Sequence, residues 1–156
     1  MPIAPGGPYP ELRIRGQNQL GVAADGPAGG PFQLSPIDSS DPQITYGTGW
    51  STTNNSAAYG GSLATTSTSG VAATLTFSGR SIAVIAPLRP TYGSIQVCPD
   101  PGTTGAGCTV TSLHSTTSQD RDVVYVSGPL TAGQHSIAIT DTTTAPVALD
   151  AFVLLG

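Results

Sequence analysis

Lysine is absent from this sequence, and Glu11 is its only glutamate. Charged residues make up 9% of the 156, so there is no basic cluster to neutralise phosphates. With a formal net charge of −4, this excludes nucleic acid and an anionic membrane surface as partners. No apolar run approaches the roughly 20 residues of a transmembrane helix. Residues 1–10 lack a basic n-region and an apolar h-region, so no signal peptide is expected there. Either Met1 replaced one, or the protein leaves the cell by another route, such as a virus particle released by lysis. Histidine occurs twice and no G-x-S-x-G elbow is present. No stretch carries a catalytic constellation, so the chain is expected not to be an enzyme.

What is present is threonine, serine, 20 glycines and 14 prolines, residues of strands and turns rather than helices. The clearest stretch is 71–87, VAATLTFSGRSIAVIAP. Leu75 and Phe77 alternate with Thr74, Thr76 and Ser78, the period-2 pattern of a half-buried strand. Gly79 and Arg80 form a tight turn. SIAVIAP is apolar on both faces, as a central strand would be, and Pro87 is expected to stop it because proline cannot donate to a ladder. Further strands are expected at 41–50, 93–98, 108–114, 122–127, 134–141 and 147–155, eight in all at roughly even spacing. The expected fold is all-β: an eight-stranded antiparallel β-sandwich of jelly-roll type over residues 41–156. Residues 51–69, rich in Ser, Thr and Asn, read as a long functional loop.

Residues 1–40 are dense in Pro and Gly and cannot build their own core. They read either as a linker or as an extended N-terminal arm that orders on a neighbouring subunit. Ile3, Tyr9, Leu12, Ile14, Leu20, Val22, Phe32, Leu34 and Ile37 are spaced along it as candidate anchors, more than a pure linker needs.

Cys98 and Cys108 each end a strand, and the turn-rich loop between them folds the chain back on itself. A disulfide is the favoured reading, and it points outside the reducing cytoplasm. Buried free thiols are the alternative. A metal reading is poor because Asp100 alone does not complete a ligand set, so no metal or cofactor is expected. His114 and His135 read as strand residues. Asp120 and Asp122, flanking Arg121, read as a solvated loop. Asp150 lies in an apolar strand and needs a partner if buried, from a loop backbone, Arg80 or Arg89, with calcium ligation as the alternative. Glycan binding needs flat aromatic rings beside polar groups that bond hydroxyls. Tyr46, Trp50, Asn54, Asn55, Tyr59 and Tyr92 supply these types, although Trp50 suits the core equally well.

Trp50 with SAAYGGS at 56–62, TLTFSGRSIAVIAP at 74–87, YGSIQV at 92–97, SGPLTAGQHSIAI at 127–139 and VALDAFVLL at 147–155 occur in this order. Together they resemble the galactose-binding-like β-sandwich modules of actinobacterial secreted proteins and of some phage tail proteins. The resemblance implies a jelly roll that is non-catalytic and often carbohydrate-binding or adhesive. The Cys98–Cys108 loop departs from it, since related modules have a short turn there. Combined with the arm, the expectation is a structural subunit of an extracellular assembly. A phage virion surface protein, in head decoration or tail appendage, comes first. Its partners would be other copies of the chain as a homo-oligomer, other protein subunits, and a cell-surface glycan. The alternative is a secreted carbohydrate-binding module.

Overall fold

The computed structural model describes residues 33–104 and 106–156. Ile3, Tyr9, Leu12, Ile14, Leu20, Val22 and Phe32, named above as arm anchors, lie outside these residues. Among the described residues there are twelve strands. They are β1 (Leu34–Asp38), β2 (Ile44–Tyr46), β3 (Ser51–Asn54), β4 (Ser62–Thr66), β5 (Ala72–Ser78), β6 (Ser81–Leu88), β7 (Ser94–Pro99), β8 (Thr109–Ser112), β9 (Gln119–Val126), β10 (Gln134–Asp141), β11 (Val147–Leu149) and β12 (Ala151–Leu155). A short 3-10 turn at Tyr59–Gly61 precedes β4. No helix of the described residues is long and apolar enough to cross a membrane.

The strands form a four-stranded sheet in the order β1-β12-β6-β9, a five-stranded sheet β2-β5-β10-β7-β8, and a three-stranded sheet β11-β4-β3. Every pairing within them is antiparallel. The result is an all-β sandwich. One core joins the sheets: Leu75 and Phe77 of β5, Ile137 and Ile139 of β10 and Ile95 and Val97 of β7 meet Ile82 and Val84 of β6, Phe152 of β12 and Leu149 of β11. Full burial of a side chain such as Phe152 or Leu75 stabilises the fold by about 1.5–3 kcal/mol. The alternation expected in β5 is present, with Ala73, Leu75 and Phe77 buried and Thr76 and Ser78 exposed. β6 is an inner strand, as its two apolar faces suggested.

The expected count of eight falls short for identifiable reasons. β1 lies inside the stretch assigned to the arm. It pairs with β12 along its whole length, Ile37 opposite Phe152. Ile37 is therefore a core residue rather than a docking anchor, while Leu34 is 67% exposed. The boundary drawn after residue 40 thus cuts off an edge strand, and Leu34–Asp38 belongs to the sandwich. β3 and β4 form a hairpin within the expected 51–69 loop. The last strand is divided at Asp150 into β11 and β12, which join different sheets.

Pro87 does not stop β6, which continues to Leu88. The register with β9 shifts between Ala86 and Leu88. Proline offers no N–H to the ladder, and the partner strand bulges past it. The bulge holds Asp120 and Arg121, the latter in the left-handed region at φ 55. Asp120, Arg121 and Asp122 thus belong to a strand, not to the solvated loop expected from their charge.

Candidate functional site

Tyr46 ends β2, and Trp50 follows one tight turn later. The turn is closed by the Trp50 N–H donating to the Gly47 carbonyl at 3.3 Å. It brings the two rings to 5.3 Å between centroids, tilted by 48°. Both rings are partly buried against the core. The Tyr46 hydroxyl donates to the Ser39 carbonyl at 2.7 Å, and burial pushes its pKa well above the usual phenol range. It therefore works as a fixed neutral donor. The Trp50 Nε1 is buried and has no hydrogen-bond partner among the described residues.

The two aromatics, with Ser51, Thr52 and Ala64, line a shallow cleft of about 60 Å³. Ser51 and Thr53 on β3 lie with their hydroxyls close to that of Thr65 on β4, Thr53 and Thr65 at 3.2 Å, on the face of the hairpin opposite Thr52 and Ala64. A cleft of this kind offers apolar ring surface next to neutral hydroxyls and carries no ionisable acid or base besides the tied-up phenol.

The other candidates named above do not line this cleft. Asn54 is exposed at the end of β3. Asn55 is used by its own loop, its side-chain oxygen accepting from the Ala57 N–H at 2.9 Å. Tyr59 is 40% exposed on the 3-10 turn. Tyr92 packs against both the main core and a smaller cluster of Ala58, Leu63 and Ala148, and burial raises its pKa. Ser51, Thr52 and Ala64 are not singled out by the sequence. All three fall in the 51–69 stretch read above as a loop, and that reading is their one legible signal.

Several ionisable groups are tied to the fold. Arg89 pairs with Asp120. Asp150 is fully buried and accepts from the Tyr59 backbone N–H at 2.9 Å. Its partner is thus a loop backbone. Burial pushes the Asp150 carboxyl up to about 6, against the opposing effect of that hydrogen bond. Asp141, also fully buried, accepts from the Thr143 N–H at 2.8 Å. His114 lies with Nδ1 3.0 Å from the Pro90 carbonyl. His135 has Nδ1 2.7 Å from an Asp100 oxygen, but its Nε2 faces the Thr131 carbonyl at 2.8 Å rather than a serine or threonine hydroxyl. Cys98 and Cys108 form a disulfide. Among the described residues no three His, Cys, Asp or Glu side chains converge on a common point able to hold a metal ion.

No family model matches the sequence, and no curated protein matches it either. Solved structures do share its fold. A family two carbohydrate esterase from Cellvibrio japonicus aligns at a TM-score of 0.54 and 20% identity, over 81% of this chain and 34% of the esterase. A two-domain esterase active on acetylated mannans aligns at 0.56 and 14% identity, over 80% of this chain and 36% of the esterase. A family 35 carbohydrate binding module from Clostridium thermocellum aligns at 0.53 and 12% identity, over 77% of this chain and 98% of the module. The chain spans about a third of the length of the esterases and nearly all of the module. At these identities the likeness is one of fold.

The resemblance to carbohydrate-binding-module-like sandwiches holds at that level. Its actinobacterial and phage parts have no counterpart in these structures. The expectation that the chain is not an enzyme is overturned: the same fold is part of two esterases, so it occurs within enzymes as well as in a binding module. The disulfide fits a secreted protein.

Proposed function

We propose that the sandwich of residues 33–156 is a glycan-binding module of a secreted, carbohydrate-active protein, and that it binds sugar at the Tyr46–Trp50 cleft. The observation that carries this reading is the alignment with the family 35 carbohydrate binding module, which the sandwich matches over 98% of that module's length. The esterases, which this chain matches over a third of their length, carry the same fold within proteins that act on carbohydrate. These neighbours favour the secreted module over a virion subunit. The cleft adds chemical support. Pyranose rings present an apolar face that packs on an aromatic ring, and their hydroxyls bond to neutral polar groups at its edge. Trp50, Tyr46, Ser51 and Thr52 supply these features within one cleft.

Trp50 is the only tryptophan, so its fluorescence reports on this cleft alone. The expected result of titrating plant and microbial polysaccharide fragments is a saturable change in emission for at least one neutral oligosaccharide. Thr52→Trp, which fills the cleft from its exposed edge, should abolish that binding without unfolding the protein. Absence of binding to every glycan at millimolar concentration, by calorimetry and fluorescence alike, would overturn the proposal. So would binding that Thr52→Trp leaves intact.

A further inference from the structure

His135, at the start of β10, lies between two groups that can only accept hydrogen bonds. Its Nδ1 is 2.7 Å from Asp100 Oδ2, and its Nε2 is 2.8 Å from the Thr131 carbonyl oxygen. A neutral imidazole carries one N–H and one lone pair. Either neutral tautomer therefore sets a ring lone pair against an acceptor. Only the imidazolium satisfies both contacts. In agreement, the Thr131 and Asp100 hydrogen bonds hold the His135 pKa above its ordinary value.

The two contacts are not equally replaceable. Asp100 is clamped to β10 independently of the ring. Its Oδ1 accepts from the Ser136 N–H at 2.9 Å, and its own N–H donates to the Ser136 carbonyl at 2.7 Å. Its carboxylate is held below the usual range, first by the Ser136 N–H and then by His135. It remains an ionised acceptor when His135 loses a proton, and it retains the Nδ1–H tautomer. The lone pair then falls on Nε2, facing Thr131. Thr131 belongs to the connection between β9 and β10, residues 127–133.

No other ionisable group competes for the ring along these segments. The connection itself reads SGPLTAG, and the loop after Asp100 reads PGTTGAG, without a titratable side chain in either. On β5 the register neighbour is Phe77, 5.9 Å away between centroids, flanked by Thr76 and Ser78. The β5–β6 turn carries Arg80, whose carbonyl accepts from the Leu130 N–H at 2.8 Å.

We infer that His135 is a proton-operated latch on the β9–β10 connection: the imidazolium holds the Thr131 carbonyl, and the neutral ring releases it while keeping Asp100. The connection is anchored at Leu130 in either state, so the change is confined to residues 131–133. The segment is firmer in acid than in neutral or alkaline medium.

The test uses the isotope-labelled full chain. Ring nitrogen chemical shifts give the His135 pKa and its neutral tautomer, the Thr131 carbonyl carbon shift reports on the bond that its oxygen accepts, and backbone nitrogen relaxation reports on the connection. The expected results are a pKa above that of a free histidine, a neutral form protonated at Nδ1, and loosening confined to 131–133. The Thr131 carbonyl shift should move, and the order parameters at 131–133 should fall, as pH rises through that pKa. Asp100→Asn should lower the His135 pKa and move this transition with it. His135→Gln should remove the transition. A neutral form protonated at Nε2, or a Thr131 carbonyl shift and order parameters that ignore the titration in the unsubstituted protein, would overturn the inference.

Discussion

The buried carboxylate of Asp150 accepts a hydrogen bond from the backbone N–H of Tyr59, 91 positions away in the sequence. This bond pins the 3-10 turn at Tyr59–Gly61 to the point where the last strand changes sheets. The backbone of Asp150 extends the tie, its N–H donating to the Ile85 carbonyl and its carbonyl accepting from the Ser39 N–H, both at 2.9 Å. One residue thus joins β6, the end of β1 and the turn before β4.

Asp150→Ala should cost about 1–3 kcal/mol, because the Tyr59 N–H would lose its partner inside the protein. Asp150→Asn keeps an acceptor and removes a buried charge, so it should cost much less at neutral pH. Urea denaturation at pH 7 distinguishes the two. Equal losses would contradict the role given to the hydrogen bond.

Asp150 also sets a pH dependence. Its carboxyl is pushed up to about 6 in the folded protein, mainly by burial, and returns to about 3.8 on unfolding. The folded state therefore binds its proton more tightly than the unfolded state does. The resulting stabilisation is fully present below pH 3.8 and is lost as pH rises through about 6. The difference in Tm between the unsubstituted protein and Asp150→Asn should change across this window. A difference that stays constant from pH 4 to pH 7 would show that burial does not perturb this group.

Gly60 sits at φ +71, and a Cβ built on it would overlap the Asp38 carboxylate. Gly60→Ala is therefore strained twice, by backbone conformation and by contact. It should destabilise the protein by about 1–3 kcal/mol from the backbone alone. Gly61→Ala provides the comparison, since its φ is also positive but its Cβ would meet open space. The calorimetric Tm of the Gly60 variant should fall further than that of the Gly61 variant.

Replacing both Cys98 and Cys108 with serine should cost about 2–3 kcal/mol, the chain-entropy value for a closed loop of ten residues. β7 and β8 remain paired through Ser94–Ser112 to Val97–Thr109 without the bond. The variant should thus fold with a lower denaturation midpoint, and intact mass before and after reduction should report one disulfide in the parent.

Removal of residues 1–40 should cost more stability than removal of residues 1–32. The difference is β1, with the burial of Ile37 and the ladder to β12. Equal denaturation midpoints for the two truncations would show that this edge strand contributes nothing.

The sequence by itself determined the class of fold and its middle. Leu75 and Phe77 alternating with threonines, the turn at Gly79–Arg80 and the apolar run after it are local patterns, and a period of two reports burial of one face wherever the strand lies. The pairing of Cys98 with Cys108 was legible for the same reason, since only ten positions separate them. Tertiary structure decided the edges and the site. In LSPID of β1 only Ile37 enters the core, and in STTN of β3 no residue is buried, so neither strand leaves a hydrophobic period to read. Such strands form because a neighbour offers unpaired backbone groups: for β1 it is β12, far along the chain, and for β3 it is the nearby β4, itself held by the distant β11. The residue types of the cleft were visible, but the choice of Tyr46 and Trp50 over Tyr59 and Tyr92 was not. The turn that brings Tyr46 and Trp50 to 5.3 Å is local, but the cleft beside them also needs Ala64, which only the pairing of β4 with β3 places there, and that pairing has no spacing to read in the sequence.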